Sequence, residues 1–117
     1  MRRLCWFKNV GNFKLMKYIY LFQSLENGYY KIGISKHPQK RILELQTGNS
    51  SPIKLIYTFQ SEYANKIECT LHRRYSHFRK NSEWFDLSIA EENSFLSECK
   101  KIENNIIYLK ENGNVFI

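Results

Sequence analysis

Acidic side chains are nearly missing from the first two-thirds of this 117-residue chain, where Glu26, Glu44, Glu62 and Glu68 are the only ones before residue 81. Residues 31 to 80 set ten Lys or Arg against three acids, and residues 1 to 17 carry five cations and no acid. Residues 81 to 117 reverse the balance, with seven acids against three Lys. The net charge of +7 is therefore unevenly placed, which suits a polyanion-binding face on one side of the molecule. A basic but merely solvated surface is the ordinary alternative. Cysteine is also scarce. Cys5, Cys69 and Cys99 are odd in number, far apart and without a C-x-x-C pair, which excludes a zinc ribbon and a disulfide framework. Free thiols point to a reducing, cytoplasmic or otherwise intracellular setting. Long apolar runs are absent too. Lys8, Asn9, Gly11, Asn12 and Lys14 interrupt residues 1 to 15, so neither a signal peptide nor a membrane span is expected. No internal repeat or low-complexity segment stands out.

What the chain does have is a core. It is 43% hydrophobic and 15% aromatic, enough for one domain at this length. Met16 closely precedes the first clear strand, so residues 1–15 read as a basic N-terminal extension or a mis-assigned start, 16–88 as the main domain, and 89–117 as a C-terminal helix and tail. In the stretch from Tyr18 to Arg41, Tyr18, Tyr20 and Phe22 alternate with Ile19 and Leu21, and Tyr29, Lys31 and Gly33 alternate with Tyr30, Ile32 and Ile34. Period two over each run predicts a strand. Asn27-Gly28 between them is a hairpin signal, since both residues tolerate positive φ. A loop of Leu25 to Gly28 sets Tyr20 opposite Gly33 and diagonal to Lys31, within reach of long side chains. A two-residue loop would set Tyr20 opposite Ser35 instead. The first register is preferred, because Gly33 leaves room for the tyrosine ring and a phosphate.

Pro38 and Gly48 bracket a helix over 38–47, with Ile42 and Leu45 facing the core and Arg41 near its start. A third strand is predicted over 53–60, alternating Leu55, Tyr57 and Phe59 against Lys54, Ile56 and Thr58. A second helix follows over 62–78, with Ala64, Ile67, Leu71 and Phe78 on its apolar stripe. Glu68 and His72 share one face of it, and Arg73, Arg74, Arg79 and Lys80 cluster at its end. Glu83 to Leu87 reads as a short extended segment closing the core. Ser88-Ile89-Ala90-Glu91 is a capping-box pattern, opening a helix to about Glu111 whose apolar face carries Phe95, Cys99, Ile102, Ile106 and Leu109. Part of that stripe is expected on the sheet and part against a partner chain. The fold class is α/β (α+β): a small central three-stranded antiparallel sheet flanked by helices, plus a long C-terminal helix.

Tyr18-Ile19-Tyr20, Lys31-Ile32-Gly33, Arg41 eight residues after Gly33, and Glu68 within EYANKIECTLHRRY together resemble the GIY-YIG nuclease superfamily over roughly residues 17 to 88. Glu68…Leu71-His72 and Glu83-Trp84-Phe85 are similar to its small phage and viral branch. Lys31 departs from the pattern, standing where the second tyrosine usually is, a variant familiar in that branch and in some restriction enzymes. The resemblance implies a metal-dependent endonuclease acting on nucleic acid, DNA in preference to RNA, single- or double-stranded. Its implied catalytic residues are Tyr20 as base, Arg41 and Lys31 on the phosphate, and Glu68 holding one divalent Mg²⁺ or Mn²⁺. Lys36, Lys40, His72, Arg73, Arg74, Arg79 and Lys80 are the candidate nucleic-acid contacts.

The chemistry is consistent with those assignments. Hydrolysis of a phosphodiester needs a base for water, positive charge on the phosphate, and relief for the leaving oxygen. A phenol titrates near pH 10, so a neighbouring Lys31 ammonium is expected to lower the Tyr20 pKa. One carboxylate with waters and phosphate oxygens is an ordinary Mg²⁺ shell. Each residue also has an ordinary reading: Tyr20 as a strand aromatic, Arg41 as a solvated helix residue, Glu68 as a partner of His72, and Tyr18, Tyr29, Tyr30 and Trp84 as core rather than base-stacking surface. The competing functions are a catalytically inactive DNA- or RNA-binding module, monomeric or dimerising through the C-terminal helix, and a protein-interaction domain. The expected setting is intracellular, a host cell if the protein is viral.

Overall fold

The computed structural model describes residues 16–48 and 51–113, so the expected N-terminal extension lies outside the described residues. β1 (Lys17–Ser24) and β2 (Tyr30–Ser35) form the hairpin. Gly28, at φ +78°, takes the left-handed conformation the turn requires, and its N–H donates to the Ser24 carbonyl at 2.9 Å. The Ser24 N–H donates to the Tyr29 carbonyl at 2.9 Å, which closes a loop of Leu25 to Gly28, and the register sets Tyr20 opposite Gly33 and Phe22 opposite Lys31. This is the preferred expectation.

α1 (Pro38–Thr47) follows, then β3 (Ile53–Ser61), antiparallel to β1 on its other side. A bulge between Leu21 and Phe22 moves the β3 partner from Tyr57 to Leu55. The extra residue breaks the simple alternation expected for β3: Leu55 falls opposite Phe22, while Ile56, Tyr57 and Phe59 all pack on the core.

α2 spans Ala64–Arg74, shorter at both ends than the 62–78 expected from its stripe. At the start, the Ser61 hydroxyl accepts from the Tyr63 N–H at 3.0 Å and holds a turn. At the end, a single 3₁₀ turn over Ser76–Phe78 leads into β4 (Arg79–Asn81), which pairs with β5 (Trp84–Phe85), itself paired to β2. The sheet therefore has five strands in the order β3-β1-β2-β5-β4, not three. Strands of two and three residues carry too little periodicity to be read in advance.

α3 (Ile89–Glu111) opens on the full capping box: the Ser88 side chain accepts from the Glu91 N–H, and the Glu91 carboxylate accepts from the Ser88 N–H. Alternation along β1 sends Ile19 and Leu21 to one face and Tyr20 and Phe22 to the other. The first face joins Ile32, Ile67 and Leu71 with Phe95, Cys99, Ile102 and Ile106 of α3 in one buried cluster. Tyr30 also donates to the Glu92 carboxylate and ties β2 to α3. Leu96 and Tyr108 remain exposed. Cys99 is a free thiol within this cluster, whereas Cys69 is disulfide-bonded, which corrects the expectation of free thiols throughout. Phe95 is fully buried and stacks with Tyr57 at a centroid distance of 6.4 Å. Phe95→Ala should therefore cost about 3–5 kcal/mol through lost transfer energy and a cavity. Urea unfolding followed by circular dichroism checks this; a loss under about 1 kcal/mol would mean that α3 is not anchored there.

Candidate functional site

The opposite face of the sheet carries Tyr20, stacked on Phe22 with centroids 3.9 Å apart and the rings 11° from parallel. Tyr20 is buried at 2% exposure. It fits because residue 33 has no side chain: a Cβ on Gly33 would lie 2.3 Å from the Tyr20 hydroxyl oxygen and 2.5 Å from Cζ. α1 packs along this side of the sheet, and its first turn brings in Arg41, whose guanidinium acts on the Tyr20 phenol and favours its ionised form. Arg41 also reaches Glu44 Oε1 at 3.4 Å along its own helix. α2 contributes Glu68, whose side chain is fully buried. The two-residue turn between β4 and β5 contributes Glu83. Both carboxylates act electrostatically on the Tyr20 phenol. The Tyr20 phenol thus feels charges from three other parts of the chain.

Burial raises the Tyr20 pKa above its ordinary value of 10.0, Glu83 and Glu68 push the same way, and Arg41 opposes without reversing the rise. Lys31 is not the cation that acts here, contrary to the sequence expectation. Its ammonium pairs with Glu83 Oε1 at 2.9 Å and sits 5.7 Å from the Trp84 ring centroid. Trp84 is opposite Lys31 in the β2–β5 ladder, so β5 and the turn before it place both of its partners. Glu83 was part of the Glu83-Trp84-Phe85 motif but received no role from sequence. The signal that it belongs here is tertiary: the strained Ser82 at φ +46° turns the chain so that the next residue reaches β2.

The remaining candidates divide. His72 Nε2 donates to the Ile32 carbonyl at 2.8 Å and lies 3.9 Å from Glu68 Oε2. Its ring also packs 5.1 Å from that of Phe85, so it fixes α2 against β2 beside the buried carboxylate. Lys36 and Lys40 flank the start of α1, on the same cleft as Tyr18. The four cations expected as one cluster do not form one. Arg73 and Arg74 line a separate cleft between α2 and α3, where Arg74 bonds Glu98. Arg79 and Lys80 stand on the sheet edge in β4, Arg79 donating to the Ser82 carbonyl and lying 5.0 Å over the Phe85 ring. The helix ends already at Arg74, and the 3₁₀ turn over Ser76–Phe78 carries Arg79 and Lys80 into β4, which is why they separate.

Among the described residues no three His, Cys, Asp or Glu gather into a metal cage. A hard cation such as Mg²⁺ asks for less: one or two carboxylates, with water and phosphate oxygens completing the shell. Glu68, a fully buried carboxylate 3.9 Å from His72 Nε2, is a ligand of the type such an ion takes. No helix among the described residues is long and apolar enough to cross a membrane.

A family model described as the T5orf172 domain matches residues 17–106. No curated protein and no solved structure matches the chain significantly. The match begins with the first residue of β1, takes in every side chain gathered around Tyr20 and continues far along α3, so the chain belongs to the T5orf172 domain family.

Proposed function

We propose that this chain is a metal-dependent endonuclease of the GIY-YIG type, hydrolysing phosphodiester bonds in nucleic acid, with DNA the favoured substrate. The observation that carries this reading is the buried Tyr20 hydroxyl fitted above Gly33, with the Arg41 guanidinium acting on it and the Glu68 charge felt there. In this reading the Tyr20 oxygen takes a proton from the attacking water. Arg41 holds the phenol oxygen and presents its remaining donors to the phosphate, where its planar fork suits two oxygens. Lys31, held by Glu83 and Trp84, adds a fixed positive charge behind the phosphate. Glu68 would hold the divalent ion, Mg²⁺ or Mn²⁺, which would supply charge stabilisation to the phosphate and the leaving oxygen. The buried site limits competing water and strengthens these interactions.

The raised Tyr20 pKa gives the sign of the pH dependence. Below its pKa the phenol is mostly neutral, and the deprotonated fraction grows tenfold per pH unit. Single-turnover cleavage is therefore expected to rise with pH, with a log–log slope near one from about pH 7 to about pH 9 and no plateau. A rate independent of pH over that range would remove Tyr20 as the base.

A second reading, a nucleic-acid-binding module without cleavage, is favoured by two observations: the phenol is shifted away from neutrality, and Lys31 is already paired with Glu83. One assay separates the two. Labelled single- and double-stranded DNA is incubated with Mg²⁺ or Mn²⁺ and the wild type, Arg41→Ala or Glu68→Ala. Metal-dependent nicking lost in both variants supports the enzyme, whereas tight binding without nicking in the wild type supports the module.

A further inference from the structure

Beside Tyr20 and Arg41, on the same face of the sheet, lies a cleft of about 520 Å³ that the cleavage chemistry does not use. Tyr18, Lys36, His37, Lys40 and Thr58 line it, and among the described residues no carboxylate does. In the cleft between α2 and α3, by contrast, Glu98 sits among the cations and bonds Arg74. Tyr18 is two residues before Tyr20 on β1 and points to the same side, about 7 Å along the strand. Its ring is half-buried, with one part open to the cleft, while Lys36 and Lys40 are exposed at its rim. A cavity that combines two lysines, an aromatic ring and no acid fits an anion joined to a flat ring.

We propose that this cleft is a nucleotide subsite. Lys36 and Lys40 take the phosphate next to the one at Arg41, and Tyr18 stacks on the base attached to it. A base can reach the ring only if it is unpaired, so the substrate class is single-stranded DNA or a frayed or flapped end, in preference to continuous duplex. The proposal rests on the nucleic-acid reading above and extends it to what the site selects.

The test is binding without metal, in EDTA, so that its outcome does not depend on cleavage. Fluorescence anisotropy compares a short labelled DNA single strand with the duplex of the same sequence, for the wild type, Tyr18→Leu, Tyr18→Phe and the Lys36→Ala/Lys40→Ala double variant. The wild type should prefer the single strand. Tyr18→Leu should lose at least about fivefold in single-strand affinity, the low end of a base-stacking contact, with duplex affinity unchanged and Tyr18→Phe close to wild type. The double variant changes only exposed residues, so folding is not at issue. Its log affinity should fall less steeply with log salt, by about 0.7 for one phosphate no longer neutralised on a single strand. Equal wild-type affinity for strand and duplex, or an unchanged salt slope in the double variant, overturns the subsite even if cleavage is found. The expected binding pattern without cleavage after metal is restored leaves the subsite standing and refutes the nuclease. No binding at low salt refutes both.

Discussion

Arg41→Ala should lower the single-turnover cleavage rate by about 10²–10³-fold while leaving the fold intact. That is the usual loss when one preorganised donor to a developing negative charge is removed. The fold should survive because Arg41 is only half-buried and α1 is held by other contacts, such as Pro38 in its first turn. Arg41→Lys should recover little of the rate, because a point ammonium cannot hold the phenol oxygen and a phosphate in the fixed fork of a guanidinium. The companion variant is Glu68→Gln, which keeps the side-chain shape and removes the charge. It should abolish Mn²⁺ binding measured by electron paramagnetic resonance as well as cleavage, so the metal assignment has a readout of its own. Circular dichroism and thermal unfolding supply the folding control. Wild-type rates in Arg41→Ala would end the hydrolase reading, because no other described cation donates to Tyr20.

Gly33→Ala is the second large effect, and it tests the site without touching a polar group. The new methyl would meet the Tyr20 hydroxyl oxygen at 2.3 Å and Cζ at 2.5 Å, so something must move. The β1–β2 ladder holds the backbone on both sides of the contact. The ring therefore has to tilt, against its 3.9 Å stacking on Phe22. A shift on the order of 1 Å in a reacting group can cost about 10²-fold in rate. The stability loss should be smaller in consequence, about 1–3 kcal/mol for overpacking. Tyr20→Phe in the Gly33→Ala background discriminates further: once the hydroxyl is gone, the methyl should have little left to disturb in catalysis. Unchanged cleavage in Gly33→Ala would mean that the position of Tyr20 does not matter.

These two variants also indicate where the molecule accepts local cost. Glu68 and Lys31 are charged groups in buried positions, and Ser82 holds a conformation that non-glycine residues rarely adopt. Lys31 and Ser82 adjoin Glu83, and the charges of Glu83 and Glu68 are felt at Tyr20. Local departures from the rules of good packing concentrate at working sites.

Local chemistry was enough to place most elements. Gly28 allowed one tight turn, and the side-chain parity of the two strands then put Tyr20 opposite Gly33. Pro38 and Gly48 bounded α1, and Ser88 with Glu91 opened α3. Each of these signals acts within a few residues, so the chain carries them wherever it folds. Pairings across long sequence separations were a different matter. β4 and β5, the early end of α2 at Arg74, the capture of Lys31 by Glu83 across 52 residues, and the choice of Arg41 over Lys31 as the partner of Tyr20 depend on how the sheet edge and α1 dock. The sequence by itself determined which residues could sit on the Tyr20 face, because period and turn chemistry set side-chain direction. Only the tertiary structure decided which of them touch, because ion pairs and hydrogen bonds form between whichever groups packing brings within reach, and no local pattern encodes that distance.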